Sequence, residues 1–175
     1  MIQELYSKCK EENKENVGEL YNGFTPEGYD EWATAVNFTE PYYIIDQCTK
    51  SVEEGGMGVS REAVVLDIGS CTGIVGQKLQ AAGFTQLHAL DVSRAQLDAV
   101  RERGFYVDHH ELYMGRGVDQ FPEALKGRFD IVTASGVFLP GHMPNEALDD
   151  CHAALKVGGL IVTAMRMSMW TDGTE

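Results

Sequence analysis

Residues Ala63 to Gly76 read A-V-V-L-D-I-G-S-C-T-G-I-V-G, and the order of residue types in this stretch decides the fold. Val64, Val65, Leu66 and Ile68 make a short apolar run, the pattern of a strand buried on both faces. Gly69, Gly73 and Gly76 then predict a tight turn opening into a helix. Small residues there let backbone N–H groups approach a ligand at a helix N-terminus. Asp67 stands near the end of the apolar run, where a carboxylate costs free energy unless something polar meets it.

Two cofactor classes use such a turn. The dinucleotide fingerprint G-x-G-x-x-G, anchored at Gly69, requires glycine at the positions held by Cys71 and Ile74, so it fails. A carboxylate at the entrance would also repel a pyrophosphate. The pattern D-x-G-x-x-T-G, here Asp67 to Gly73, resembles instead the first motif of class I S-adenosylmethionine-dependent methyltransferases. That family holds an uncharged ribose and a zwitterionic tail carrying a cationic sulfonium. Cys71 stands where the family pattern usually has glycine.

The chain has 175 residues, 43% hydrophobic and 23% charged, which predicts one folded domain with a real core. Its 27 acids against 14 Lys and Arg give a formal net charge of −13, which argues against nucleic acid or an anionic membrane as partner. No apolar run reaches the roughly 18 residues of a membrane span. The N-terminal M-I-Q-E-L-Y-S-K-C-K-E-E lacks the apolar core of a signal peptide. Cys9, Cys48, Cys71 and Cys151 show no C-x-x-C pairing and read as reduced thiols, so a cytoplasmic, and also nuclear, location is expected.

Residues 1–58 read as an N-terminal helical arm or lid, and 59–175 as the α/β core, within one domain. The first 24 residues carry thin apolar spacing at Ile2, Leu5, Cys9, Val17 and Leu20. Thr25-Pro26-Glu27 starts a helix whose packed face is Tyr29, Trp32, Ala33 and Val36. A second helix follows Thr39-Glu40-Pro41, with Ile44, Ile45, Cys48 and Val52 inward, and Gly55-Gly56-Met57-Gly58 forms a joint. After the glycine turn, a helix presenting Val75, Leu79 and Ala82 closes at Gly83. A strand at Leu87–Leu90 ends at Asp91, and Ser93 with Gln96 predicts a capping box for a helix stopping at Gly104. Phe105-Tyr106-Val107 predicts a third strand ending at Asp108, with a weak helical turn near Phe121–Leu125. A fourth strand, Phe129–Ala134, exits into the turn-rich loop Ser135–Pro144. A helix from Asn145, with Ala147, Leu148, Cys151 and Leu155 inward, ends before Gly158-Gly159, and Leu160–Met165 is a fifth strand. This alternation specifies a doubly wound, Rossmann-like, mainly parallel sheet that binds ligands at the carboxyl ends of its strands. Asp67, Asp91, Asp108 and Ser135 all fall at such predicted ends.

Asp91, 24 residues after Asp67, is placed to accept both hydroxyls of a ribose, with Val92 beside it; its bland alternative is a cap for the next helix. His142 lies in the loop after the fourth strand, and an imidazole's ordinary pKa of about 6.5 suits a general base. A loop histidine bonded to backbone is an equal reading. His109, His110 and His142 show no metal-ligand spacing, so no metal is expected. Met165, Met167 and Met169 alternate at strand period and read as packing.

Y-D-E-W-A at Tyr29 to Ala33, D-I-G-S-C-T-G, G-F-Y-V-D, and G-V-F-L-P-G-H-M-P followed by L-K-V-G-G together resemble the Williams–Beuren syndrome region methyltransferase-like proteins, the group of methyltransferase-like protein 27. The resemblance covers roughly residues 25–168 and implies the class I methyltransferase fold. It implies S-adenosylmethionine as cofactor, with S-adenosylhomocysteine as product. Asp67 and the backbone of Gly69, Ser70, Cys71 and Gly73 would hold the amino-acid tail, Asp91 the ribose and Asp108 the adenine amine. Tyr29 and Trp32 would cover the methionine end, while His142 and Phe138 face the acceptor. A full class I sheet adds two strands after the fifth, so the C-terminal strands are apparently missing. The fifth strand is then an apolar edge that a second copy of the chain could cover as a homodimer. The leading expectation is methyl transfer to a small molecule or protein acceptor. A non-catalytic S-adenosylmethionine-binding scaffold acting through a partner is the alternative, and a dinucleotide-dependent oxidoreductase is disfavoured by the failed fingerprint.

Overall fold

The computed structural model describes residues 17–53, 59–139 and 141–164. The arm at 1–16 with Ile2, Leu5 and Cys9, the joint Gly55–Gly58, and Met165, Met167 and Met169 lie outside the described residues. Among the described residues three helices precede the sheet: α1 (Val17–Asn22), α2 (Pro26–Ala35) and α3 (Glu40–Glu53). Then come β1 (Val64–Ile68), α4 (Ile74–Ala81), β2 (Gln86–Asp91), α5 (Arg94–Arg103) and β3 (Asp108–Glu111). A 3-10 turn at Glu123–Leu125 leads to β4 (Phe129–Ser135), α6 (Ala147–Ala154) and β5 (Leu155–Ala164).

The strands are parallel, in the order β3-β2-β1-β4-β5. The chain winds outward from β1 to β3, then crosses back to lay β4 on the other side of β1. β1 and β4 therefore flank the point where winding reverses, the place where such sheets bind ligands. Alternate strand residues feed two cores. Val65, Leu87, Ala89 and Ile131 face α4, α5 and the Ile44 and Cys48 side chains of α3. Leu66, Ile68, Leu90 and Val132 face Ala147, Cys151 and Ala154 of α6 together with Phe121 and Leu125. Truncating a fully buried member such as Leu79 would cost roughly 2–5 kcal/mol.

Helix ends follow the sequence signals. Thr25 accepts a hydrogen bond from the Gly28 N–H at 3.1 Å with Pro26 in the first turn, and Gly104 ends α5 at φ 71°. Among the described residues no helix is long and apolar enough to cross a membrane.

Several boundaries differ from the sequence reading. β3 is the polar Asp108-His109-His110-Glu111 and not Phe105–Val107. A sheet-edge strand needs no continuous apolar run, and Tyr106 instead turns into the core. Asp108 consequently opens the strand and does not end it. L-K-V-G-G is the first half of a ten-residue β5, with Leu155 paired to Phe129 and a register irregularity next to it. Leu148 and Val36, expected to face inward, are exposed. β5 is an edge strand among the described residues, and it exposes Val157 and Ile161.

Candidate functional site

The turn after β1 is built on left-handed backbone. Gly69 has φ 66°, Cys71 φ 45° and Gly73 φ 85°. A side chain at Gly69 would also overlap Val137. Glycine suits such angles, while cysteine adopts them at a cost in strain. The turn is tied to the end of β2: the N–H groups of Gly69 and Ser70 donate to the Leu90 carbonyl at 2.8 and 3.2 Å. The Cys71 N–H donates to Asp91 Oδ2 at 2.8 Å, and the Ser93 N–H to Asp91 Oδ1 at 2.8 Å. Burial pushes the Asp91 carboxyl upward, and the backbone N–H groups of Ser93 and Cys71 pull it back.

Asp91 lines a cleft holding about 640 Å³ of empty space, its open mouth included. The floor is Gly69, Cys71, Leu90, Asp91 and Val92, and Leu112, Tyr113 and Met114 form the wall after β3. Ser135 to Val137 and His142 close the β4 side, and Val17, Tyr21 and Tyr29 come from the N-terminal helices. Ser135 Oγ is a buried polar atom without a hydrogen-bond partner, an orphan a bound ligand would satisfy.

Of the residues expected in the site, Tyr29, Gly69, Cys71, Asp91, Val92, Ser135 and His142 line the cleft. Asp67, Ser70, Gly73, Trp32 and Asp108 do not. Asp67 points into the sheet: Tyr106 Oη donates to its Oδ2 at 2.5 Å and Thr133 Oγ1 to its Oδ1 at 2.8 Å. The Tyr106 oxygen in turn accepts from the Gly76 N–H at 3.0 Å. Desolvation pushes the Asp67 carboxyl up to about 7 against the pull of those two donors. Asp108 is displaced because the true strand begins there; it pairs with His88, and Glu111 is the residue opposite Asp91. Trp32 stands behind Tyr29, their ring centroids 5.2 Å apart, and supports the aromatic wall from outside. Burial and the adjacent Cys71 thiol hold the Tyr29 hydroxyl well above its usual range.

The sequence reading missed three anchors. Asp30, within Y-D-E-W-A, accepts from Thr72 Oγ1 at 2.6 Å and Arg103 at 2.7 Å, clamping α2 to the glycine turn. Asn22 accepts from Ser93 Oγ at 2.7 Å. Gln96 completes only half of the expected capping box. Its backbone N–H reaches Ser93 Oγ at 3.3 Å, but its side chain donates to the Tyr21 and Phe24 carbonyls at 3.0 and 3.1 Å. Tyr21 meets His142, its Oη 3.0 Å from Nε2, while the His142 N–H donates to the Leu139 carbonyl at 3.0 Å. The His142 ring thus meets the Tyr21 hydroxyl and lines the cleft, while the backbone bond belongs to its main-chain N–H. An isolated Asp, Asn or Gln in a polar segment carries no signal of such long-range partners. The two acids between Tyr29 and Trp32 were the one available hint.

A methyltransferase domain family model matches residues 66–161, more than half of the chain. Methyltransferase-like protein 27 from Homo sapiens is 30% identical over 147 residues, covering 84% of this chain and 56% of the human protein. The chain therefore spans about half the length of that curated relative. A chain from the complex between the Haloferax volcanii Trm112 methyltransferase activator and a methyltransferase superposes with a TM-score of 0.59 at 17% identity, over 82% of this chain and 58% of that one. An S-adenosyl-L-methionine-dependent methyltransferase from Methanococcus maripaludis gives 0.55 at 17% identity, over 84% and 69%. The sugar N-methyltransferase KedS8 from Streptoalloteichus gives 0.54 at 20% identity, over 84% and 56%. At these identities the three structural likenesses speak to the fold alone.

Proposed function

We propose, for a chain that belongs to the class I S-adenosylmethionine-dependent methyltransferase family, that the cleft binds S-adenosylmethionine and transfers its methyl group to a small-molecule or protein acceptor. The observation that carries this reading is Asp91, a buried carboxylate held open toward the cleft by two backbone donors. An ionised carboxylate has about four acceptor sites, so two used by Cys71 and Ser93 leave capacity for a pair of ribose hydroxyls. The residues present fit the rest of the cofactor. Gly69 and Cys71 would meet the amino-acid tail, Ser135 Oγ would find its missing partner, and Leu112 to Met114 would flank the adenine. Asp67, Ser70, Gly73 and Trp32 act in this reading as supports.

The cofactor supplies an electrophilic methyl on a sulfonium when bound. Tyr29 and Tyr21 present aromatic faces that attract a cation. The chain's remaining work is to orient and to exclude water, the contribution expected of a displacement that needs little acid–base help. His142, on the cleft rim beside Tyr21, is the residue in place to take a proton from an acceptor. The helices within 1–58 serve as the lid, since α1 and α2 supply Val17, Tyr21 and Tyr29. Cys48, Cys71 and Cys151 are buried free thiols, which fits the cytoplasm or nucleus. A second copy pairing along β5 is the partner this reading adds.

Titration calorimetry with S-adenosylhomocysteine and with NAD tests the proposal: the first binds and the second does not. NAD binding alone would sink it. Binding of S-adenosylhomocysteine without methyl transfer in a broad acceptor screen would reduce the protein to a scaffold.

A further inference from the structure

On the sheet face away from α4 and α5, at the edge of the sheet, three side chains from β2 and β3 converge. His88 and Asp108 lie directly opposite each other in the β2–β3 register, and His110 is two residues along from Asp108 on the same face. His88 Nδ1 is 3.2 Å from His110 Nε2, and each of these nitrogens is 3.7 Å from Asp108 Oδ2. A tetrahedral ion with bonds of about 2.0–2.1 Å separates its ligand atoms by about 3.3–3.4 Å. The three donor atoms already approximate one face of such a shell.

The surroundings hold the donors in that arrangement. The His88 ring is buried edge-on against Phe129 at 5.3 Å between centroids, and lies parallel to the His110 ring within 4°. Asp108 Oδ1 accepts from the His109 N–H at 2.9 Å, which turns Oδ2 toward the imidazoles. Burial lowers the affinity of both rings for a proton. Arg128 is the cation whose field reaches both rings. Asp108 is half exposed, leaving solvent access to a fourth position.

We propose that His88, His110 and Asp108 form a binding site for a late first-row divalent cation, zinc above all, that staples the edge strand β3 to β2 and keeps one position for water. Two imidazoles and one carboxylate are a donor set suited to zinc, and three protein ligands leave the coordination open. In the metal-free protein the two facing nitrogens share one proton. The cation takes both lone pairs, and that proton moves to the other nitrogen of the same ring. Each imidazole stays neutral, Asp108 stays ionised, and no net proton is released. His88 stands three residues before Asp91 on β2, and none of the three side chains lines the cleft, so the proposal does not depend on what the cleft binds.

The test titrates zinc chloride into the full chain after chelator treatment, with calorimetry, thermal melting and the visible spectrum of a cobalt(II)-loaded sample. The expected result is one zinc per chain at micromolar concentration, a raised melting temperature and a tetrahedral cobalt spectrum. His110→Gln and Asp108→Asn, both at partly exposed edge positions, should each weaken binding by at least about 100-fold. His109→Gln, whose ring faces the other side of the sheet, should leave binding unchanged. Absence of zinc binding, or binding that survives both ligand variants with circular dichroism intact, would overturn the site and leave an ordinary hydrogen-bonded pair.

Discussion

Asp67 near the end of β1 and Asp91 at the end of β2 are buried carboxylates on neighbouring parallel strands, yet they face different environments. Asp67 uses both oxygens on side-chain hydroxyls inside the sheet, from Tyr106 and Thr133. Asp91 uses both on backbone N–H groups at the rim of a cleft. The side of the sheet to which each carboxylate turns decides the matter, because strand residues alternate faces. Asp67 belongs to the face of Val65 and Ile131, under α4 and α5, and serves the fold. Asp91 stands where the strand has ended and the chain turns, and its oxygens face the ligand space. Both acids keep lone-pair capacity after these bonds, so what separates them is the space each faces: packed side chains at Asp67, the cleft at Asp91.

The largest effect expected is on Asp91. Asp91→Ala should abolish S-adenosylhomocysteine binding in calorimetry while circular dichroism keeps its α/β signature; undiminished affinity would erase the contrast between the two acids. Asp67→Asn gives the intermediate effect, on stability as a function of pH. The Asp67 carboxyl sits at about 7 in the folded protein against 3.8 ordinarily, so the folded state holds a proton that the unfolded chain releases. Its contribution is therefore fully present below about pH 4 and is lost as pH rises through 7. Denaturant titrations from pH 4 to 8 should show wild type losing stability relative to the Asn variant, by an amount on the order of a few kcal/mol. Tyr106, Thr133, Asp91 and Cys48 are the groups facing it, and none supplies a positive charge that would reverse the sign. Parallel curves for the two proteins would mean that Asp67 is ionised throughout. The smallest effect belongs to the turn between the two acids. Cys71→Gly relieves a left-handed angle, and should raise stability by no more than about 1 kcal/mol after the entropy cost of glycine. A clear loss on melting would show that thiol packing against Tyr29 outweighs the strain.

Much of this was legible along the chain. The apolar runs at Val64–Ile68, Leu87–Leu90 and Phe129–Ala134 sit in the sheet interior, where burial on both faces writes a continuous signal. β3 was misplaced because an edge strand has only one face to bury: Asp108–Glu111 carries no such signal, and the neighbouring Phe105-Tyr106-Val107 mimics it. The α6–β5 boundary was missed because the chain passes from helix to strand at Leu155 without a turn, and Gly158 with Gly159 falls inside an irregular strand. In the cleft, Asp91 and Ser135 were visible as strand-end residues and Gly69 as a turn glycine. The inward direction of Asp67 was not, since a one-dimensional pattern does not reveal Tyr106, which lies 39 residues away. The same limit hid the pairing of His88 with His110, whose register depends on where β3 begins.

Gly76 lies within α4 at an ordinary helical position, so backbone geometry does not require glycine there. The Tyr106 ring is what a side chain at 76 would strike, while the Tyr106 hydroxyl accepts the Gly76 N–H and supports Asp67. Positions 67, 76 and 106 are therefore coupled: Gly76→Ala should destabilise the chain while the Tyr106 ring is present and should be tolerated once that ring is removed.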